Sequence, residues 1–94
     1  MAIKTWACES TRELFEREGN RVVPPQVARR ARKKLAIVNA ASELDFLRVP
    51  PGNRLEKLKG NRAGQWSIRI NVQYRVCFVF RGGDAFQVEI VDYH

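Results

Sequence analysis

The run Pro50-Pro51-Gly52-Asn53 divides this chain into two parts that obey different hydrophobic periods. Proline fixes φ and removes a backbone donor, and glycine favours turns, so neither a helix nor a strand continues through it. Upstream, apolar residues recur at helical spacing, whereas downstream they alternate. With 94 residues to share between them, the two parts form one α+β domain over residues 1–94.

In the first part, Ile3 to Trp6 fits a short strand, and Ser10-Thr11-Arg12-Glu13 matches a capping box opening a helix. Leu14 and Phe15 are its apolar side, and Gly19-Asn20 ends it. Pro24-Pro25 opens a second helix, in which Val27, Ala31, Leu35 and Val38 form one stripe flanked by Ala28. Arg29, Arg32 and Lys33 point the opposite way, and Ser42 to Leu47 allows a further helical turn.

After the division, Gln65 to Asn71 alternates Trp66, Ile68 and Ile70 with Ser67, Arg69 and Asn71. Tyr74 to Phe80 sets Tyr74, Val76, Phe78 and Phe80 against Arg75, Cys77 and Val79. Arg81-Gly82-Gly83-Asp84 is a hairpin turn, and Ala85 to Tyr93, with Phe86, Val88 and Ile90 as its apolar residues, is the last strand. Such strands make an antiparallel meander, and the two helices must cover one face of it.

Seventeen Lys and Arg against ten Asp and Glu give a formal charge of +7, which favours an anionic partner such as nucleic acid or a neutralising acidic protein. Six basic residues and no acid lie between Arg21 and Lys34, a run that suits either an ordinary solvated helix face or a binding surface. No stretch approaches a membrane span and no signal-like segment follows the start, so a cytoplasmic location is expected. Cys8 and Cys77 are far apart and expected to be free thiols in that compartment. One histidine and two scattered cysteines do not supply a zinc set, so neither metal nor cofactor is expected.

The stretch Arg48 to Arg75 holds seven basic residues and one acid, Glu56, while Asp84 to His94 holds three acids and no Lys or Arg. This unevenness is compatible with ion pairing across the sheet, and equally with a groove that grips phosphates beside proton-carrying groups. Metal-free RNA cleavage needs a base for the 2′-hydroxyl, cations at the phosphoryl oxygens and an acid for the leaving oxygen. Lys59, Arg69 and Arg75 are candidates for the cations, and Glu56, Asp92 and His94 for the proton carriers. Arg54, Lys57 and Arg62 are candidate RNA contacts, with Trp66 and Tyr74 read as core or rim. Taken alone, the terminal Asp92-Tyr93-His94 also fits a frayed tail.

The block from Pro50 to Asn71, with Leu55-Glu56-Lys57-Leu58-Lys59-Gly60 and Ser67-Ile68-Arg69-Ile70-Asn71 at its heart, resembles the signature of HigB toxins of the RelE/ParE superfamily. Tyr74-Arg75-Val76-Cys77-Phe78, Gly83-Asp84-Ala85 and Asp92-Tyr93-His94 extend the resemblance over nearly the whole chain. It implies a RelE/ParE-like fold, two N-terminal helices on a twisted, mainly antiparallel sheet. It also implies a type II toxin that cleaves translated mRNA on the ribosome and is paired with a HigA-like helix-turn-helix antitoxin. DNA would then be met only through that antitoxin.

On this resemblance Lys59 and Arg75 correspond to phosphate-facing cations, Asp92 and His94 to an acid–base pair, and Tyr93 to a stacking or orienting group. The Arg29, Arg32 and Lys33 face would meet ribosomal RNA. Glu56 stands where some relatives carry histidine, and a carboxylate's ordinary pKa lies about two units lower. Two rival readings remain: a ParE-like gyrase poison on the same fold, and a non-catalytic RNA- or ribosome-binding module.

Overall fold

The computed structural model describes residues 2–17 and 19–92, so the assignments made for Tyr93 and His94 lie outside the described residues. Helix α1 spans Glu9–Glu16 and α2 spans Pro25–Ala40. Short 3₁₀ turns follow at Leu44–Arg48 and Pro51–Asn53. The strands are β1, Glu56–Lys57, β2, Trp66–Arg69, β3, Tyr74–Arg81, and β4, Asp84–Asp92, in antiparallel order β1-β2-β3-β4.

The expected start of α1 is corrected. Cys8 precedes its first turn, and no side chain caps it, so Ser10 lies inside the helix rather than at a capping box. Thr11 is fully buried and its hydroxyl accepts the amide of Ile90 at 3.1 Å, which fixes the helix against β4. The helix stops at Glu16, before Gly19-Asn20; Asn20 Oδ1 instead accepts the amides of Val22 and Val23, shaping the turn into α2.

In α2 the proline start holds, and Ala28, Ala31, Leu35 and Val38 are buried. They join Leu14, Leu47, Ile68, Val76, Phe78, Val88 and Ile90 in one core. Each large side chain fully enclosed there contributes roughly 1.5–3 kcal/mol. Arg32 departs from its expected outward role, because its Nε donates to the Leu14 carbonyl at 3.0 Å and ties α2 to α1.

The segment expected as a first strand runs parallel to β4, with bridges from Ile3 to Ala85 and from Trp6 to Val88. It covers the outer edge of β4, a row of backbone groups that would otherwise be open to pairing. Beside it, β4 carries an extra residue. The register shifts between Cys77 and Val79, and Gln87 has φ 53 with its amide donating to Thr5 Oγ1 at 2.7 Å. The bulge exchanges the two faces of β4: Ala85 faces the helices before it, Val88 and Ile90 after it. Phe86 therefore does not share a face with Val88 and Ile90; it pairs with Val79 and lies under the Arg81 guanidinium, 4.8 Å from its ring centre.

Candidate functional site

Directly opposed residues in an antiparallel sheet share a face. The helix-covered face carries Ile68, Val76 and Ile90 in one row. The other face carries a row of Glu56, Ser67, Cys77 and Glu89, and beside it a row of Arg69, Arg75 and Val91. The strict in–out alternation expected for β3 is thereby modified, since Arg75 and Cys77 are buried on the second face while Val76 and Phe78 are buried on the first.

Arg75 is the centre of this second face. Its Nε donates to Ser67 Oγ at 2.8 Å, and its Nη2 donates to the Arg54 carbonyl at 2.6 Å. Nη2 also meets Glu56 Oε1 at 2.9 Å. A buried guanidinium is tolerable only when acceptors replace water, and here they sit on more than one of its nitrogens. Backbone geometry supplies one of them. Arg54 is left-handed, with φ 46 and ψ 58, after the Pro51–Asn53 turn. An ordinary L-residue adopts that conformation at a cost of order 1–3 kcal/mol. The turn is held by fully buried Asn53, whose Nδ2 donates to the Leu47 and Val49 carbonyls and whose Oδ1 accepts from Lys34. Burial, with the nearby Lys33 and Arg30 charges, lowers the Lys34 pKa.

A second acid–arginine pair lies on the same face. Arg62 Nη1 donates to Glu89 Oε2 at 3.1 Å and to Gln65 Oε1 at 3.0 Å. Between the pairs, the Cys77 thiol is fully buried and free, and burial raises its pKa above the ordinary value. Arg69 stands opposite Arg75 and donates from Nε to the Asn71 carbonyl at 3.1 Å.

The structure thus brings together Glu56, Arg75, Arg69 and Arg62 from among the expected residues, with the Arg54 backbone. Lys57 pairs opposite Trp66 and so points to the other side of the sheet from Glu56. Lys59 is exposed, and its carbonyl accepts the Arg62 amide in the turn that returns the chain to β2. Asp92 pairs opposite Tyr74, on the side of Val76 and Ile90, and its Oδ2 accepts from Gln73 Nε2 at 3.0 Å. Its register does not place it in the Arg75 row. Arg29 and Lys33 are exposed and, with Gln26, Arg30 and Asn71, line an open groove along α2, which packs on the opposite side of the sheet from Arg75. Ser67 and Glu89 were not singled out from the sequence. The only signal was an odd-numbered place, for Ser67 in a strand that carries Arg69 and for Glu89 in the strand beside Arg75.

Among the described residues no helix is long and apolar enough to cross a membrane. Residues 5–94 match the family model described as the RelE-like toxin of the type II toxin–antitoxin system HigB. The chain is 34% identical over 92 residues to the "Endoribonuclease HigB" of Proteus vulgaris, covering 98% of this chain and 99% of that protein. It is 44% identical over 66 residues to "Toxin HigB-1" of Vibrio cholerae, covering 70% of each. Its fold is similar to that of a YoeB–YefM complex from Staphylococcus aureus, with TM-score 0.61, 18% identity and coverage of 100% of this chain and 97% of that one. A YoeB/ParE toxin from Agrobacterium tumefaciens matches with TM-score 0.52 and 20% identity over 100% and 99% of the chains. With that family match over nearly its full length, on two helices laid against a four-stranded antiparallel sheet, the chain belongs to the HigB-like family of RelE-like type II toxins.

Proposed function

We propose that this toxin is a cytoplasmic, metal-independent endoribonuclease that cuts translated mRNA on the ribosome and so stops translation. The observation that carries the reading is a buried arginine, Arg75, fixed on the open sheet face in direct contact with a carboxylate, Glu56. A phosphodiester brought to Arg75 meets a cation for its developing negative charge and a proton acceptor at the same place.

The 2′-oxygen forms a bond to the adjacent phosphorus as its proton passes to a base, here Glu56. The bond from phosphorus to the 5′-oxygen breaks, and that oxygen takes a proton from an acid. The products are a 2′,3′-cyclic phosphate and a free 5′-hydroxyl. In this reading Arg75, with Lys59, stabilises the phosphoryl oxygens, Arg54, Arg62 and Arg69 hold neighbouring phosphates, and Lys57 meets RNA from the other side of the sheet. Asp92 and His94 form the acid–base pair, from which we take the acid here, and Tyr93 stacks on or orients the nucleotide. Arg29 and Lys33 on α2 meet ribosomal RNA, and a HigA-like helix-turn-helix antitoxin neutralises the toxin.

Brief induction followed by mapping of mRNA 5′ ends tests this, with wild type and Arg75→Ala side by side. The expected result is new 5′-hydroxyl ends inside translated reading frames for wild type and none for the variant, with an untranslated copy of the same message left whole. Intact mRNA with DNA damage would instead indicate gyrase poisoning, and ribosome binding without scission would indicate a non-catalytic module.

A further inference from the structure

We propose that Ser67 is a positioning residue for the Arg75 guanidinium, an inference resting on the reading of Arg75 as the phosphate-binding cation. Ser67 is fully buried in the middle of β2, between Trp66 and Ile68, and its hydroxyl accepts Arg75 Nε at 2.8 Å. A polar side chain enclosed in a strand needs a partner, and Arg75 supplies one. One acceptor leaves a planar guanidinium free to rotate about that bond; a second, on a different nitrogen, fixes its plane. The Arg54 carbonyl is that second acceptor, on Nη2, and the left-handed backbone at Arg54 aims it there.

The chemistry of the two acceptors matters as much as their positions. A hydroxyl and a carbonyl are both neutral, so together they orient the cation without cancelling its charge. A further contact, Glu56, is anionic and its side chain is 55% exposed, so an incoming phosphate can displace it. Ser67 and the Arg54 carbonyl therefore hold the guanidinium in place during the exchange, and Arg75 meets the phosphate already oriented.

The experiment measures cleavage of a defined message on translating ribosomes by purified wild type, Ser67→Ala, Ser67→Thr, Arg75→Ala and the Ser67→Ala/Arg75→Ala double variant. In parallel, hydrogen exchange at the Arg75 Nε–H is followed by nitrogen-resolved NMR. Ser67→Ala is expected to lower kcat by about tenfold or more, leave KM nearly unchanged and speed exchange at Nε–H. Ser67→Thr, which keeps the hydroxyl, restores slow exchange and most of kcat, and Ser67→Ala has no further effect once Arg75 is alanine. If Arg75→Ala is inactive while Ser67→Ala keeps wild-type kcat and slow exchange, the positioning role is overturned. Multiplicative losses in the double variant overturn it too, since Ser67 would then act other than through Arg75. If Arg75→Ala itself cleaves normally, it is the underlying reading of Arg75 that fails.

Discussion

Arg75 and Glu56 form an asymmetric ion pair: Nη2 and Oε1 are 2.9 Å apart, yet the arginine side chain is 9% exposed and the glutamate side chain 55%. The positive partner is built into the sheet and the negative one stands at its edge. A pair of this kind adds little to stability from its exposed side, but it leaves a fixed cation beneath an exchangeable anion.

Arg75→Lys keeps the charge and loses the planar fork, so it does not satisfy Ser67 and the Arg54 carbonyl together. Cleavage is expected to fall about 10²-fold or more, as for other losses of a preorganised donor. Arg75→Ala additionally leaves Ser67 without the Arg75 bond and costs about 1–3 kcal/mol in urea unfolding.

Glu56→Gln preserves the shape and removes the proton acceptor. The expected change in stability is below about 1 kcal/mol, because the carboxylate is largely in water. Single-turnover cleavage is expected to fall about 10²-fold. An unaltered rate would remove Glu56 from the base role.

Thr11→Val replaces the buried hydroxyl that receives the Ile90 amide with a methyl group of similar size. The orphaned N–H costs about 1–3 kcal/mol. Urea midpoints should show this loss, while Thr11→Ser stays closer to wild type.

The two thiols should react very differently. Cys77 is enclosed, with burial raising its pKa above the ordinary 9.0. Cys8 is partly exposed; burial raises its pKa, but hydrogen bonds from Thr11 and Ser10 outweigh that and bring it below 9.0. Alkylation followed by mass spectrometry should label Cys8 first and Cys77 only on unfolding. For Cys77 the sign of the linkage is definite: the unfolded thiol ionises first, so its contribution to stability is complete below about pH 9 and is lost as pH climbs through the folded value.

Replacing Arg29 and Lys33 on α2 by glutamine should weaken ribosome binding uniformly and flatten its salt dependence. Each phosphate contact removed lowers the slope of log affinity against log salt by about 0.7–0.9. A filter-binding series across salt concentrations measures it directly.

Periodicity made α2, β3 and the hairpin at Gly82-Gly83 legible, because each is a local pattern with local punctuation. The environment of Arg75 was not legible. A charged residue in an alternating strand reads as solvent-facing, and nothing near it announces that a carbonyl 21 positions earlier, on a left-handed arginine, will accept its Nη2. The placement of Asp92 and Glu89 was hidden for a different reason. One extra residue at Gln87, a glutamine where a glycine would have signalled positive φ, reverses the parity of everything after it. Residue types thus indicated the arginines and carboxylates available, while pairing register decided which of them meet.

The parallel rung from Ile3 to Trp6 also carries a temporal consequence. Its contact from Thr5 to Gln87 joins residues 82 apart, and the Thr11 bond to Ile90 joins residues 79 apart. Contacts this distant in sequence wait on closure of nearly the whole chain. During synthesis the first residues have no β4 to dock against until that strand has left the ribosome. The sheet face that presents Arg75 is therefore completed only once β4 is available to pair with β3.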